Sequence, residues 1–223
     1  MTDIDFNQAV EDFWQASQGG AFPVQWQDSF DRETAYRICL AMIARRAANG
    51  DPQAGWKVGL TAKAIREQQG ASEPVFAVLY DKGRWQSGVS HPYADLMHPG
   101  WENELCLTMG ASLSGPDVTE EEAKAVVGAA TPYDPAIHDL AESCVDLYVN
   151  GEFQEKAYGV EILESSPIAS IRWLAGKLAE FGLELKAGSA VMTGSFTKQY
   201  RFEGPVEIEA RFEPFGTGTA TFT

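Results

Sequence analysis

The chain has 223 residues, of which 44% are hydrophobic, and its mean hydropathy of -0.22 is typical of a globular protein. Its 32 acidic residues outnumber the 17 basic ones and give a net charge of -15, which argues against nucleic acid and anionic membrane surfaces as partners. No apolar run approaches the roughly 20 residues that a membrane helix needs, and the acidic N-terminal stretch lacks the features of a signal peptide, so we expect a cytoplasmic protein.

The first part of the chain is predicted to be helical. Residues 5–14 place apolar side chains at helical spacing, and residues 32–49 repeat the pattern before Gly50 ends it. A third, short helix is predicted over residues 61–69. We therefore expect an N-terminal helical subdomain over residues 1–72.

Strands dominate from Pro74 onward. Short apolar runs alternate there with glycine and proline turns, which is the pattern of a β-rich region. The runs are VFAVLY, ELCLTM, VDLYV, SAVMTG, VEIEARF and GTATF. Asn150-Gly151 joins two of the strands and predicts a hairpin turn with positive φ at both positions. Residues 73–223 are thus predicted to form the β-rich domain of an α+β protein.

Two helices are predicted to interrupt these strands. Thr119 and Glu122 stand at capping-box spacing at the start of TEEEAKAVVG. Ser166 and Pro167 begin a second helix, whose apolar stripe ends before Gly182.

Two glutamates begin one of the apolar runs, in WENELCLTMG. Because side chains alternate faces along a strand, Glu102 and Glu104 should point one way and Asn103 the other. Two like charges beside a buried strand repel each other and lose hydration unless something compensates them. Such a pair can converge on one hard divalent cation of the magnesium, manganese or calcium type. The alternative is a solvated strand face, on which the same pattern is common.

Two further stretches carry polar groups that could serve a site. In GWKVGLT, Lys57 is either a surface lysine or, beside a metal, the cation that holds an enolate or carboxylate oxygen. In VMTGSFT, Thr193 and Ser195 flank a glycine where a strand ends, which exposes hydroxyl and N–H groups suited to an anionic ligand. The alternative there is an ordinary strand-to-turn junction.

Together these stretches resemble the 2-keto-4-pentenoate hydratase and 4-oxalocrotonate decarboxylase family of the fumarylacetoacetate hydrolase superfamily. The resemblance covers most of the chain from about residue 30. It rests on GWKVGLTAKAIREQQGASEPVFAVLYD, on WENELCLTMG, and on the stretch from VNGEFQEKAYG through WLAGKLAEFG to MTGSFT. It implies a mixed β-roll behind the helical part, a homo-oligomer, and a lyase of aromatic-compound catabolism. The expected substrate is a small 2-oxo or 2-hydroxydienoic acid.

The resemblance also implies roles for particular residues. It places Mg2+ or Mn2+ on Glu102 and Glu104, and the active-site lysine on Lys57. An acidic residue of the family corresponds to Asp81, so that Glu102 or Asp81 would relay a proton from water. We expect the substrate itself to contact Leu105, Thr193 and Ser195.

The chain departs from the family pattern at the third metal ligand. The family carries a glutamate in Pro-Ala-Leu-Glu, whereas this chain has PAIHD, which places His138 at the ligand position with Asp139 as the competing ligand. A family segment with an Asp-Asn-x-Ser-Ser motif is also missing before CVDLYV. The sequence therefore leaves open a decarboxylase, a C–C hydrolase, or a catalytically silent relative that binds a small acid or a protein partner.

Overall fold

The computed structural model describes residues 5–19, 21–127 and 138–223. The chain divides into two compact units, residues 1–54 with 78–83 and residues 55–77 with 84–223. The change of composition predicted at residues 72–73 falls within the second unit. In the described residues no helix is both long enough and apolar enough to cross a membrane.

Helices and strands both contribute substantially to the described chain, which confirms the predicted α+β class. The helices are α1 Phe6–Ser17, α2 Arg32–Ala48, α3 Lys63–Gln68, α4 Glu120–Val126 and α5 Pro167–Ala179. The strands are β1 Gln53–Gly59, β2 Val75–Tyr80, β3 Val89–His91, β4 Gly100–Trp101, β5 Glu104–Thr108, β6 Cys144–Val149, β7 Glu152–Tyr158, β8 Ala190–Ser195, β9 Tyr200–Arg201, β10 Val206–Glu213 and β11 Gly216–Phe222.

Two long helices make up most of the first unit, as the apolar spacing predicts. Asp5 and Asp31 cap them, each accepting a hydrogen bond from a backbone N–H of the first turn. The Arg45 guanidinium on α2 lies over the Trp14 ring of α1 and also binds Glu11. These contacts join α1 and α2 into one packed pair.

A four-stranded sheet has the strand order β2-β1-β8-β5. β1 runs parallel to β8, and β5 runs antiparallel to it. β1 lies within the region predicted as mainly helical, although its period-two burial is that of a strand: Trp56 and Val58 are buried on one face. Gly55 is required here because a Cβ would meet the Ala190 carbonyl oxygen of the neighbouring strand.

A five-stranded sheet in the order β3-β11-β10-β6-β7 forms a large layer of the second unit. The β6–β7 hairpin turns at Asn150 and Gly151, which have φ of 51° and 79° and confirm the predicted turn. A two-stranded ribbon pairs β4 with β9 and leads directly into the Glu-x-Glu stretch.

The helices of the second unit begin where the sequence predicts. Thr119 and Glu122 form both hydrogen bonds of the capping box at the start of α4. α5 begins with Pro167 at its first turn and buries an apolar stripe that includes Ile171 and Leu174. This buried helix contacts β8 and so supports the strand that runs through the centre of the four-stranded sheet.

Candidate metal and acid-binding site

The carboxylates of Glu102 and Glu104 converge on the ammonium group of Lys57. The Lys57 Nζ lies 3.3 Å from Glu102 Oε2 and 3.9 Å from Glu104 Oε1. The structure thus brings together the three residues that the sequence analysis singled out in two separate stretches. Because one ammonium faces two carboxylates, the cluster carries an excess of negative charge when all three groups are ionised.

Strand geometry explains how residues so far apart in the chain meet. Lys57 on β1 pairs with Met192 on β8, and Met192 pairs with Cys106 on β5. Side chains in such a row stand on the same face of a sheet. The register shifts between Glu104 and Cys106, as at a β-bulge, where β5 begins. This irregularity lies directly after the two glutamates.

Glu104 is the buried member of the pair. Its side chain is 4% exposed, whereas the side chain of Glu102 is 31% exposed. The pKa of Glu104 is raised to about 7: burial raises it most, Lys57 and a hydrogen bond from the Gly194 N–H lower it, and the proximity of Glu102 raises it. The protein therefore compensates the negative charge of the buried Glu104 carboxylate only in part.

Gly194 supplies the hydrogen bond that orients Glu104. Its backbone N donates to Glu104 Oε2 over 2.8 Å. Its φ is 108°, and a Cβ at this position would lie within 2.5 Å of the Thr61 side chain, so only glycine fits. The N–H groups of this turn were predicted to face a ligand, whereas the Gly194 N–H binds Glu104, a contact that sequence reasoning did not predict. The signal was a glycine at the end of an apolar strand.

Asn103, between the two glutamates, points the other way, as alternation along the strand predicts. It is 4% exposed, and its Nδ2 donates to Thr197 Oγ1 over 2.8 Å. Its backbone N donates to Ser195 Oγ over 3.2 Å, and its carbonyl accepts from the Phe196 N–H over 2.9 Å. These three bonds tie the middle of the Glu-x-Glu stretch to the segment that follows β8.

Two residues expected to contact the substrate have buried side chains. Thr193 is 0% exposed, and its hydroxyl donates to the Leu105 carbonyl over 3.0 Å, so this hydroxyl is not displayed at the end of the strand. The Leu105 side chain is 8% exposed, in the alternating pattern that separates it from Glu104. Ser195 is partly buried and accepts the bond from Asn103. Substrate contact by these residues stays a prediction.

The predicted third ligand is not assembled with the pair. His138 and Asp139 are exposed, and Asp139 accepts a hydrogen bond from the Ala141 N–H over 2.9 Å. Across residues 5–19, 21–127 and 138–223, no group of three His, Cys, Asp or Glu side chains is placed to hold a metal. The ligand role of His138 or Asp139 stays a prediction, and residues 135–137 of the same motif lie outside the described residues.

Asp81 belongs to the first unit, where it opens a short 310 turn and donates its backbone N–H to the Pro52 carbonyl over 3.0 Å. Its predicted role in proton transfer stays a prediction as well.

The donor set at Glu102 and Glu104 fits a hard divalent cation. Both groups are carboxylates, and Mg2+ in proteins is commonly bound through one or two carboxylates, with water and substrate completing its coordination. The buried, undercompensated charge of Glu104 provides a physical reason for a dication at this place. Two protein ligands therefore suffice for a site that a chelating substrate completes.

Comparison with known proteins gives consistent relatives, although no family model matches the chain. A 2-hydroxypent-2,4-dienoate hydratase of Pseudomonas putida is 30% identical over an alignment that covers 68% of this chain and 84% of that protein. A 2-hydroxyhexa-2,4-dienoate hydratase of Comamonas testosteroni is 26% identical, with 86% of each chain covered. The fold matches 4-oxalocrotonate decarboxylase from Pseudomonas putida G7, complexed with magnesium and adipate, at a TM-score of 0.81. That match has 24% identity and covers 90% of this chain and 89% of that one.

The Comamonas alignment also shows that this chain is the shorter partner within the matched region. The alignment has 228 positions but includes only 86% of the 223 residues of this chain. The other positions are occupied by residues of the relative alone. The relative therefore carries residues with no counterpart here. That the shortening lies between His138 and the strand that begins at Cys144 stays a prediction.

Proposed function

The chain belongs to the 2-keto-4-pentenoate hydratase and 4-oxalocrotonate decarboxylase family, and from this premise we propose that it is a divalent-metal-dependent hydro-lyase. Its substrate is a small 2-hydroxydienoic or 2-oxo acid of aromatic-compound catabolism, of the kind exemplified by 2-hydroxypenta-2,4-dienoate. The observation that carries the proposal is the convergence of Glu102 and the buried Glu104 on the single ammonium of Lys57.

Glu102 and Glu104 would hold the cation, Mg2+ or Mn2+. When bound, such a cation neutralises negative charge that develops on the oxygens of a chelated 2-oxo acid. A third protein ligand from His138 or Asp139 remains part of the proposal. The homo-oligomer implied by the resemblance does as well.

Lys57 and the glutamates have separate tasks in hydration. The Lys57 ammonium lies at the cluster and steadies the enolate oxygen by charge and hydrogen bonding. Glu102, the more exposed carboxylate, moves a proton between water and the substrate carbon, and Asp81 is the alternative group for this step. Glu104 remains fixed by the Gly194 N–H.

The test is the ultraviolet absorbance of 2-hydroxypenta-2,4-dienoate, whose conjugation is lost when water adds. We expect the absorbance to fall with enzyme and Mg2+ or Mn2+, to stop falling with EDTA, and to resume when the metal is restored. Formation of carbon dioxide or a C–C cleavage product from the corresponding oxo acids would instead identify a decarboxylase or a hydrolase. A metal-loaded, folded enzyme that leaves all of these acids unchanged would contradict the proposal.

A second candidate is a catalytically silent relative that binds a small acid. The residues of relatives that lack a counterpart here favour it, as does the exposed position of His138. Such a protein would bind Mn2+ together with oxalate, a mimic of the chelating end of a 2-oxo acid, and would show no turnover. Calorimetry with oxalate, measured beside the absorbance assay, separates the two candidates.

A further inference from the structure

The residue between the two glutamates is held more firmly than either carboxylate. Asn103 makes hydrogen bonds through its side-chain amide, its backbone N–H and its carbonyl, all to the three residues Ser195, Phe196 and Thr197. Asn103 and Thr197 are 4% and 8% exposed, so their amide–hydroxyl bond is shielded from water.

The segment that holds Asn103 is itself anchored in the core. The Phe196 ring is 5% exposed and packs edge-on against Phe212 of β10, with ring centroids 5.5 Å apart. Because Phe196 points into this contact, Ser195 and Thr197 on either side of it present their hydroxyl oxygens to Asn103. The Glu-x-Glu stretch is thereby fixed to a part of the fold outside its own sheet.

We propose that Asn103 and Thr197 are positioning residues, which aim the carboxylates of Glu102 and Glu104 at a common point where a divalent cation binds. This inference rests on the proposed function for the metal, and it adds the pair that sets the geometry of the site. Asn103 and Thr197 do not touch the cation themselves.

The physical argument concerns the backbone of residues 102–104. Side chains on either side of Asn103 share a face only while the backbone there stays extended, yet the pairing of β5 with β8 is irregular between Glu104 and Cys106. At a bulge the ladder no longer fixes each residue, so a side-chain bond can decide the orientation. The Asn103–Thr197 bond replaces the missing constraint on one side of Glu104, and the Gly194 N–H restrains the carboxylate on the other.

The simpler alternative is that the Asn103–Thr197 bond only stabilises the fold. The two roles differ in what happens when both partners become apolar. Losing one partner leaves the other buried without a hydrogen bond and destabilises the protein, whereas replacing both with apolar groups of similar shape is close to neutral. If the bond is only structural, the double variant should recover both stability and Mn2+ affinity. If the bond positions the glutamates, the double variant should recover stability alone.

The test measures Mn2+ affinity by calorimetry and thermal unfolding in EDTA on the full-length protein. Thr197→Val removes the hydroxyl with little change in shape, and we expect it to weaken Mn2+ binding about 10-fold, as loss of an outer-shell partner does. Thr197→Ser keeps the hydroxyl and should bind Mn2+ as the wild type does. Asn103→Leu combined with Thr197→Val should recover the melting temperature lost in Thr197→Val while its Mn2+ affinity stays low.

Ile208→Val is the matched control for stability, since Ile208 is a core residue of the five-stranded sheet. It should lower the melting temperature without affecting Mn2+ affinity. Mn2+ binding by Thr197→Val equal to that of the wild type would overturn the positioning role alone. The same conclusion would follow if affinity recovered together with stability in the double variant. A wild-type protein that does not bind Mn2+ would overturn the metal site of the proposed function, and the positioning role with it.

Discussion

The two large sheets treat their charged residues in opposite ways. On the five-stranded sheet, Asp146 and Lys156 stand directly opposite each other on β6 and β7, with Nζ and Oδ1 3.2 Å apart, and Glu209 accepts a bond from Arg211 on the same strand. On the four-stranded sheet, two carboxylates share the single ammonium of Lys57.

This difference separates charges that support the fold from charges that serve a ligand. On the five-stranded sheet cations are not outnumbered in this way, since Asp146 also stands opposite Arg211 of β10, and partly exposed pairs of this kind contribute little to stability. A buried carboxylate with incomplete compensation lowers stability, and a fold keeps such a group where binding or catalysis requires it. The imbalance of charge therefore indicates a functional site better than the number of charged residues does. Matched substitutions on the two sheets can test this difference.

The largest effect is expected from replacing the shared cation. Lys57→Met should reduce kcat by roughly 10²- to 10³-fold, because removing a preorganised donor to a developing oxyanion has effects of this size. Lys156→Met removes a paired lysine of the five-stranded sheet and should leave kcat unchanged. Steady-state hydration of 2-hydroxypenta-2,4-dienoate measures both, and a near-normal rate for Lys57→Met would identify Lys57 as a surface lysine.

The next effect concerns metal affinity. Glu104→Gln should weaken Mn2+ binding by at least about 100-fold, the upper end of what even an outer-shell change produces. In EDTA the same variant should melt at an equal or higher temperature than the wild type, since it removes a buried charge. Glu209→Gln, on the five-stranded sheet, is the control and should bind Mn2+ normally. Calorimetry that finds unchanged Mn2+ affinity for Glu104→Gln would remove the metal site from the proposal.

Thr193 tests whether the hydroxyl at the end of β8 serves the fold or the substrate. Thr193→Val should reduce the free energy of unfolding by about 1–3 kcal/mol, since it leaves the buried Leu105 carbonyl without this donor. If the hydroxyl serves only the fold, KM should stay within about 2-fold of the wild-type value, because a group that makes no substrate contact affects binding little. Urea denaturation and initial rates decide the outcome, and a large rise in KM at unchanged stability would restore the predicted substrate contact.

The smallest effect is expected on the five-stranded sheet. Asp146→Asn should change the free energy of unfolding by less than about 1 kcal/mol, which is usual for partly exposed ion pairs. It should not affect Mn2+ affinity. A loss of Mn2+ binding in this variant would show that the two sheets are not independent in the way that their charges indicate.

Local sequence signals predicted the parts of the fold that local interactions determine. Two examples are the capping box of Thr119 and Glu122 and the Asn150-Gly151 turn. Each is formed by residues close together in sequence, so it can be predicted without knowledge of the rest of the fold. The shared face of Glu102 and Glu104 follows in the same way from alternation along one strand.

The remaining features depend on residues that are distant in sequence. The bond from Asn103 to Thr197 spans 94 positions, and the one from Thr193 to Leu105 spans 88. The need for glycine at position 55 becomes apparent only when Ala190 is placed against it. The family resemblance linked Lys57 to the glutamates, but no pattern in the sequence indicated which hydroxyl would face inward.

The place of β8 in its sheet has a consequence for synthesis on the ribosome. β8 lies between β1 and β5, and Gly55 pairs with Ala190, so β1 and β5 emerge long before the strand that joins them. At about 5–20 residues per second, β1 waits of the order of 10 seconds for its neighbour. Throughout that interval the edge of β1 that faces β8 in the folded protein has unpaired backbone N–H and C=O groups and can pair with other nascent chains. Glu104 can accept its bond from the Gly194 N–H, and Asn103 can donate to Thr197, only after translation has passed residue 197. A nascent chain stalled earlier should therefore bind Mn2+ poorly.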